Sequence, residues 1–213
     1  MRLKKTLCLL LVLALGLSFV ACNGAASAPA ASEKPTGGDA TLDEAIKSSK
    51  DTLIVGLPSD PANFDPNDNS IQMVHAFKRQ IYETLVQRDS KGELQPMLAE
   101  SWEYPSEDTI LFHIRKGVKF HNGDELTADD VLFSLKRCSE VPAASVAVNS
   151  VDWDHTEVVD DYTLKLVTKG VYVPQLAYLE WPLTGIFCKR AYEESNGDFY
   201  KAPVGTGAFK VVD

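Results

Sequence analysis

Cysteine is scarce in this 213-residue chain, with four in all. Cys8 lies inside an N-terminal apolar run and Cys22 directly follows it, which leaves Cys138 and Cys188 for the folding part. A dense disulfide scaffold is thereby excluded. One bridge between these two would contribute about 4 kcal/mol in the chain-entropy model. Two buried thiols are the alternative, since Cys138 falls on an apolar helical stripe and Cys188 in an apolar run. Histidine is equally sparse, at four residues. His75 has no Cys, Asp or His at ligand spacing beside it, and His113 and His121 are separated by a strand end and Gly117, so no zinc spacing arises. Gly-x-Ser-x-Gly, His-Glu-x-x-His and any Cys-His pairing are missing, and no carboxylate pair stands out from a generally acidic surface. An enzyme, such as a surface-anchored hydrolase, finds no support here. Gly205-Thr206-Gly207 lacks the Lys-Ser/Thr and following helix of a phosphate loop, and no cofactor is expected.

Positive charge is short too. Lys and Arg number 21 against 30 Asp and Glu. Three of the 21, Arg2, Lys4 and Lys5, precede the apolar run, and removing them takes the net charge from −9 to −12. Nucleic acid is therefore not an expected partner, because phosphates demand Lys and Arg. Arg115, Lys116 and Lys119 read as a solvated strand end.

Long apolar runs are limited to one, Leu7–Ala21. Its length falls short of the ~20 residues that span a bilayer. A basic start, a short apolar core and small residues before a Cys make a secretory signal. Phe19-Val20-Ala21-Cys22 resembles a bacterial lipobox, with Phe19 where Leu is usual, which implies lipidation at Cys22. The alternative is an ordinary cleaved signal with a chance Cys. Asn23–Gly38 is almost all Ala, Ser, Pro, Gly and Thr, a flexible tether spanning on the order of 20 Å. Asp39–Lys50 reads as linker or marginal helix.

What is present begins with Thr52–Leu57, a short apolar run predicted as a buried strand. A breaker-rich loop, Pro58 to Pro66, follows it and suits the mouth of a cleft. Ser70 is placed to cap a helix whose stripe runs through Ile71, Val74, Ile81 and Leu85, with Asp89-Ser90-Lys91-Gly92 as its stop. Trp102–Tyr104 and Thr109–Arg115 predict a β-hairpin around Pro105–Asp108. Ile110, Phe112 and Ile114 share one face of it. Asn122-Gly123 turns, Thr127 caps the next helix with Asp130 in its first turn, and Val131, Leu132, Leu135 and Cys138 form its stripe. Val141–Asn149 is a small-residue loop. A second hairpin is expected from Thr156–Val159 and Tyr162–Val167 across Asp160-Asp161. Pro174 opens a short helix, Gln175–Glu180. Gly185–Cys188 is a short strand, Lys189–Glu194 a helix, Asn196-Gly197 a turn, and Phe209–Val212 a strand. Gly205 and Gly207 supply either positive φ or close backbone approach.

The stretch Leu98–Arg137, in the order Ser-Trp, Phe-x-Ile-Arg-Lys-Gly-Val-Lys-Phe-His-Asn-Gly, Leu-Thr-Ala-Asp-Asp-Val and Phe-Ser-Leu-Lys-Arg, resembles the signature of family 5 extracellular solute-binding proteins. Thr156–Gly170 and Asp198–Lys210 resemble further family segments, the latter with Ala208 where Pro is usual. The resemblance implies an α/β, periplasmic-binding-protein-like two-lobe fold, truncated here to the start of the main lobe plus the family's extra α/β domain. The implied division is signal 1–21, tether 22–50, first strand and loop of the main lobe 51–69, accessory domain 70–203, and return to the main lobe 204–213. With the second lobe missing, tight solute binding by these residues alone is not expected, and apolar edges such as Phe209–Val212 should be exposed.

The implied function is a non-enzymatic receptor, lipid-anchored outside a bacterial cytoplasmic membrane, that hands a solute to ABC permease subunits. Oligopeptide or dipeptide is the favoured solute. Nickel, haem, oligosaccharide and opine stay open, as does a structural or adhesive lipoprotein. The family's loop before Asp65-Pro66, where Phe64 replaces Leu, makes Ser59, Asp60, Pro61, Ala62 and Asn63 the candidate ligand contacts; a plain turn is the alternative.

Overall fold

The computed structural model describes Val55, residues 63–68 and residues 72–212, all within one compact unit. The signal, Cys22, the tether, most of the Thr52–Leu57 strand, the Ser70 cap, and Ser59, Asp60, Pro61 and Ala62 lie outside the described residues.

Two antiparallel hairpins build the central sheet. Strands β3 (Ala99–Ser106) and β4 (Thr109–Ile114) form the first, and β5 (Glu157–Asp160) and β6 (Thr163–Val167) the second. They join side by side in the order β3-β4-β6-β5. The register pairs Ile110 with Leu166 and Phe112 with Leu164, so the apolar side chains of both strands fall on one face. Phe112, Leu164 and Leu166 are fully buried. Helix α2 (Ala128–Glu140) buries Val131, Leu135 and Cys138 in the same core. The 3.6-residue stripe and the two-residue alternation thus meet in one sheet-and-helix layer pair. The predicted cap is in place: Asp130 Oδ2 accepts from the Thr127 backbone N–H at 3.0 Å and from Thr127 Oγ1 at 2.9 Å.

The remaining elements are short. Ser145–Ala147 and Pro182–Thr184 are 3-10 turns, Gln175–Tyr178 is α3, and Lys189–Glu194 is α4. Asn196 and Gly197 make their expected turn with φ of 49° and 92°.

Three expectations need correction. Helix α1 (Gln72–Ile81) stops at Ile81 rather than continuing through Leu85. Val86–Arg88 is strand β1, paired with β2 (Leu94–Pro96). The breaker cluster closes this hairpin: Asp89 Oδ1 accepts the Lys91 and Glu93 N–H groups at 2.8 and 2.9 Å, and Gly92 takes φ 83°. Leu85 sits one helical turn beyond Ile81, so it matched the helix period by coincidence. Its carbonyl accepts from Met97 and Ala99 instead.

Gly185–Cys188 is extended but joins no ladder, because Ile186 N–H bonds the Glu83 carbonyl at 2.8 Å and Cys188 N–H the Val204 carbonyl at 3.0 Å. Phe209–Val212 is likewise not a strand, although Phe209 and Val212 are exposed as expected. Its Phe209 N–H bonds the Gln80 carbonyl.

Candidate functional site

Of the candidate ligand loop, Asn63 is described, and the turn that follows it is heavily braced. Asn63 Oδ1 accepts the Asp65 N–H at 2.9 Å, and its Nδ2 donates to Asp68 at 2.9 Å. Asp65 Oδ1 accepts the Asn67 N–H at 2.9 Å. These are side chains standing in for backbone turn bonds, as Asn and Asp do beside a proline. Outside groups then tie the turn down. Tyr82 donates its hydroxyl to the Phe64 carbonyl at 2.8 Å. Lys78 Nζ reaches the Asp68 carbonyl at 2.7 Å, and Asn67 Nδ2 the Leu183 carbonyl at 2.7 Å. Lys78 is almost fully buried, which pulls its pKa down against the opposing pull of Asp68 and Asp65.

The strongest tie comes from α2. Arg137 forks onto Asp65 at 2.8 and 2.7 Å. Its remaining donors reach Asn67 Oδ1, the Tyr192 hydroxyl at 3.2 Å and the Tyr200 hydroxyl at 2.8 Å. A guanidinium carries five N–H groups, and all five are used. The rings of Tyr192, Tyr200 and Phe187 lie 5.4, 5.6 and 6.0 Å from the guanidinium carbon, within cation–π range. Burial works against the charge of Arg137, but the hydrogen bonds from Asp65 and Tyr192 outweigh it and its pKa is raised. Arg137 and Asp65 are each 8% exposed.

Arg137 belongs to a second, polar stripe of α2. Asp130, Ser134 and Arg137 follow at helical spacing and all are buried. Asp130 Oδ1 accepts the Lys189 N–H at 3.0 Å. Ser134 Oγ accepts the Phe187 N–H at 3.1 Å and donates to the Asp130 carbonyl at 2.8 Å. The stripe thus binds residues 187–200 along the helix, in place of a ladder.

The glycine pair resolves to close approach. A Cβ on Gly205 would lie 2.1 Å from the Ile81 carbonyl oxygen, and one on Gly207 2.3 Å from that of Gln80. Gly207 N–H bonds the Ile81 carbonyl at 2.9 Å, so this segment caps the end of α1. His121 clamps it from the other side. Its ring Nε2 is 2.8 Å from the Gly207 carbonyl and its backbone N–H bonds the Gly205 carbonyl. A donor at Nε2 leaves Nδ1 to accept the Gly205 N–H at 3.4 Å. His121 is therefore a packing histidine.

Among the described residues no group of metal-binding side chains converges, and Cys138 and Cys188 are buried free thiols. An open groove of about 370 Å³ is lined by Asp124, Asp129, Lys189 and Arg190 among others. Its cations pair locally, Lys189 with Asp129 and Arg190 with Asp124.

Sequence reasoning did not single out Arg137, Asn67, Tyr192 or Tyr200. The signal for Arg137 was its place in line with Asp130 and Ser134 beside the apolar stripe. Nothing local points to partners more than 50 positions away.

Residues 93–213, more than half the chain, match the family model for bacterial extracellular solute-binding proteins, family 5 Middle. The periplasmic oligopeptide-binding protein OppA of Haemophilus influenzae is 34% identical over 113 residues, covering 53% of this chain and 21% of that protein. Heme-binding protein A of the same organism is 30% identical over an alignment covering all of this chain and 42% of its own length. The chain therefore spans less than half the length of either curated relative. In structure it is similar to the ABC transporter-associated periplasmic binding protein DppA of Helicobacter pylori in complex with peptide STSA. The TM-score is 0.64 at 30% identity, over 72% of this chain and 35% of that one. The α/β fold is that of the periplasmic binding proteins, and the chain belongs to the bacterial extracellular solute-binding proteins, family 5.

Proposed function

We propose that the whole protein is a non-enzymatic, extracytoplasmic receptor that captures an oligopeptide or dipeptide and passes it to ABC permease subunits. The observation that carries this reading is the family match over residues 93–213. Its relatives include a named oligopeptide-binding protein and a peptide complex. On this reading Ser59, Asp60, Pro61, Ala62 and Asn63 contact the solute. Residues 51–69 and 204–213 belong to the main lobe, with 70–203 as an accessory domain. Cys22 carries the lipid that holds the receptor at the outer face of the cytoplasmic membrane. The braced turn at Asn63–Asp68 supports the assignment, since a contact loop held rigid loses less entropy on binding.

Haem is the second reading, because heme-binding protein A aligns with the whole of this chain. Calorimetric titration decides between them, using protein expressed from its whole reading frame. The tetrapeptide STSA and haemin are the probes. Saturable, micromolar binding of STSA that weakens in Asn63→Ala supports the peptide receptor. Binding of haemin alone transfers the proposal to haem, and binding of neither sinks both. Anchoring is checked separately: Cys22→Ser should move the protein from the membrane pellet to the soluble extracytoplasmic fraction.

A further inference from the structure

The Asp65–Arg137 pair joins two parts of the chain that are 72 positions apart. One part is the turn immediately following the candidate solute contacts 59–63; the other is the last turn of α2. We infer that Arg137 is a positioning residue for the solute loop, setting where the backbone leaves Asn63 and hence where residues 59–63 are presented. The inference rests on the proposed assignment of that loop to the solute.

Geometry gives the argument its direction. A lone buried ion pair would hold the turn at one point. Arg137 holds it at two, because its guanidinium bonds both oxygens of Asp65 and also Asn67 Oδ1. A bidentate fork plus a third bond fixes orientation as well as distance. The same Asp65 Oδ1 accepts the Asn67 N–H that closes the turn, so the carboxylate held by Arg137 also shapes the backbone. From the far side, Tyr192 and Tyr200 fix the guanidinium through their hydroxyls and ring faces. Asp65 is not free to choose another partner geometry, because Asn63 and Asn67 on either side of it are committed to Asp68 and Leu183. Helix α2 packs in the main core through Val131 and Leu135. Arg137 therefore transmits the position of a rigid core helix to a loop. Lysine in its place keeps the charge but offers three donors from a point rather than five in a fork.

The test compares Arg137→Lys and Tyr200→Phe with the parent protein, expressed from its whole reading frame. Amide hydrogen exchange of residues 63–68 is read first, with the Asn67 N–H as the reporter. Arg137→Lys should speed exchange there about tenfold or more, while amides of β4 and β6 change little. Tyr200→Phe, which removes one hydroxyl and keeps the ring, should show a smaller change at the same place. If Arg137→Lys fails to fold, Tyr200→Phe carries the exchange measurement. Uniform loss of protection across β4, β6 and the turn overturns the inference, since Arg137 would then be a general stabiliser. Titration with STSA is read second. Where the parent binds STSA, Arg137→Lys should weaken it at least tenfold, and unchanged affinity beside a loosened turn also overturns the inference. Failure of the parent to bind STSA removes the peptide assignment, and haemin then replaces STSA in the same comparison.

Discussion

At the residue scale, one carboxylate and two glycines make sharp predictions. Glu125 accepts the Tyr162 hydroxyl at 2.6 Å, Lys119 Nζ at 3.0 Å and the Gly117 N–H at 3.3 Å. The Tyr162 bond, followed by Lys119, lowers its pKa from 4.5 to about 2. A depressed carboxylate stabilises fully above its unfolded pKa, and that contribution disappears as pH falls through the folded value. Glu125→Gln should therefore reduce the drop in Tm between pH 4.5 and 2, as followed by circular dichroism. An unchanged acid limb would show that the three bonds are not kept in solution. Gly205 and Gly207 test packing instead. Gly205→Ala places a methyl against backbone at 2.1 Å, where the carbonyl cannot swing away without losing its bond to Gly207. A cost of about 1–3 kcal/mol in urea unfolding is expected. Gly197→Ala has open space around its Cβ, so its cost comes from positive φ alone, about 1 kcal/mol. Equal, small effects at both positions would contradict the close approach.

At the element scale, α2 is the part on which the others depend. Its apolar stripe builds the core and its polar stripe holds residues 187–200. Asp130 serves both ends of that job, with Oδ2 on the Thr127 cap and Oδ1 on the Lys189 N–H. Thr127→Ala should cost about 1 kcal/mol, the usual worth of an N-cap. Asp130→Ala should cost about 2 kcal/mol or more, because it also strands a second backbone donor. Chemical denaturation of the two variants gives the order, and the reverse order would remove Asp130 from its bridging role. The hairpins were legible here because their signals are local. Alternating Ile110, Phe112 and Ile114 beside Glu107-Asp108 needs no distant partner to be read. Thr84–Arg88 was not legible, because Leu85 satisfied a helix period while its carbonyl was bound to β2 and β3. Only the Asx turn at Asp89 distinguished a hairpin from a helix stop.

At the scale of the molecule, the sheet, α2 and the 187–200 segment share one continuous apolar core. Loss of a central side chain should therefore lower a single transition. Phe112→Ala should cost about 3–5 kcal/mol, with fluorescence and circular dichroism transitions staying coincident. Separated transitions would divide the unit. The two thiols report on the same core. Cys138 has its pKa pushed up to about 12, chiefly by burial, and burial also raises that of Cys188. Neither should react with a thiol reagent in the native protein, and both should be labelled after denaturation without reductant. A thiol that stays blocked after denaturation would reveal a disulfide.

Composition, turn residues and periodicity by themselves determined the α/β class, both hairpins of the central sheet, the capped helix and the family, because each depends on residues close together in the chain. Tertiary structure alone decided which of the two glycine roles applies, where α1 ends, and that Arg137 holds the turn after Asn63. Those outcomes depend on backbone approach and on donors meeting acceptors across 60 to 130 positions. No local pattern carries that information, since a buried guanidinium is committed only once Asp65, Asn67, Tyr192 and Tyr200 have been brought around it.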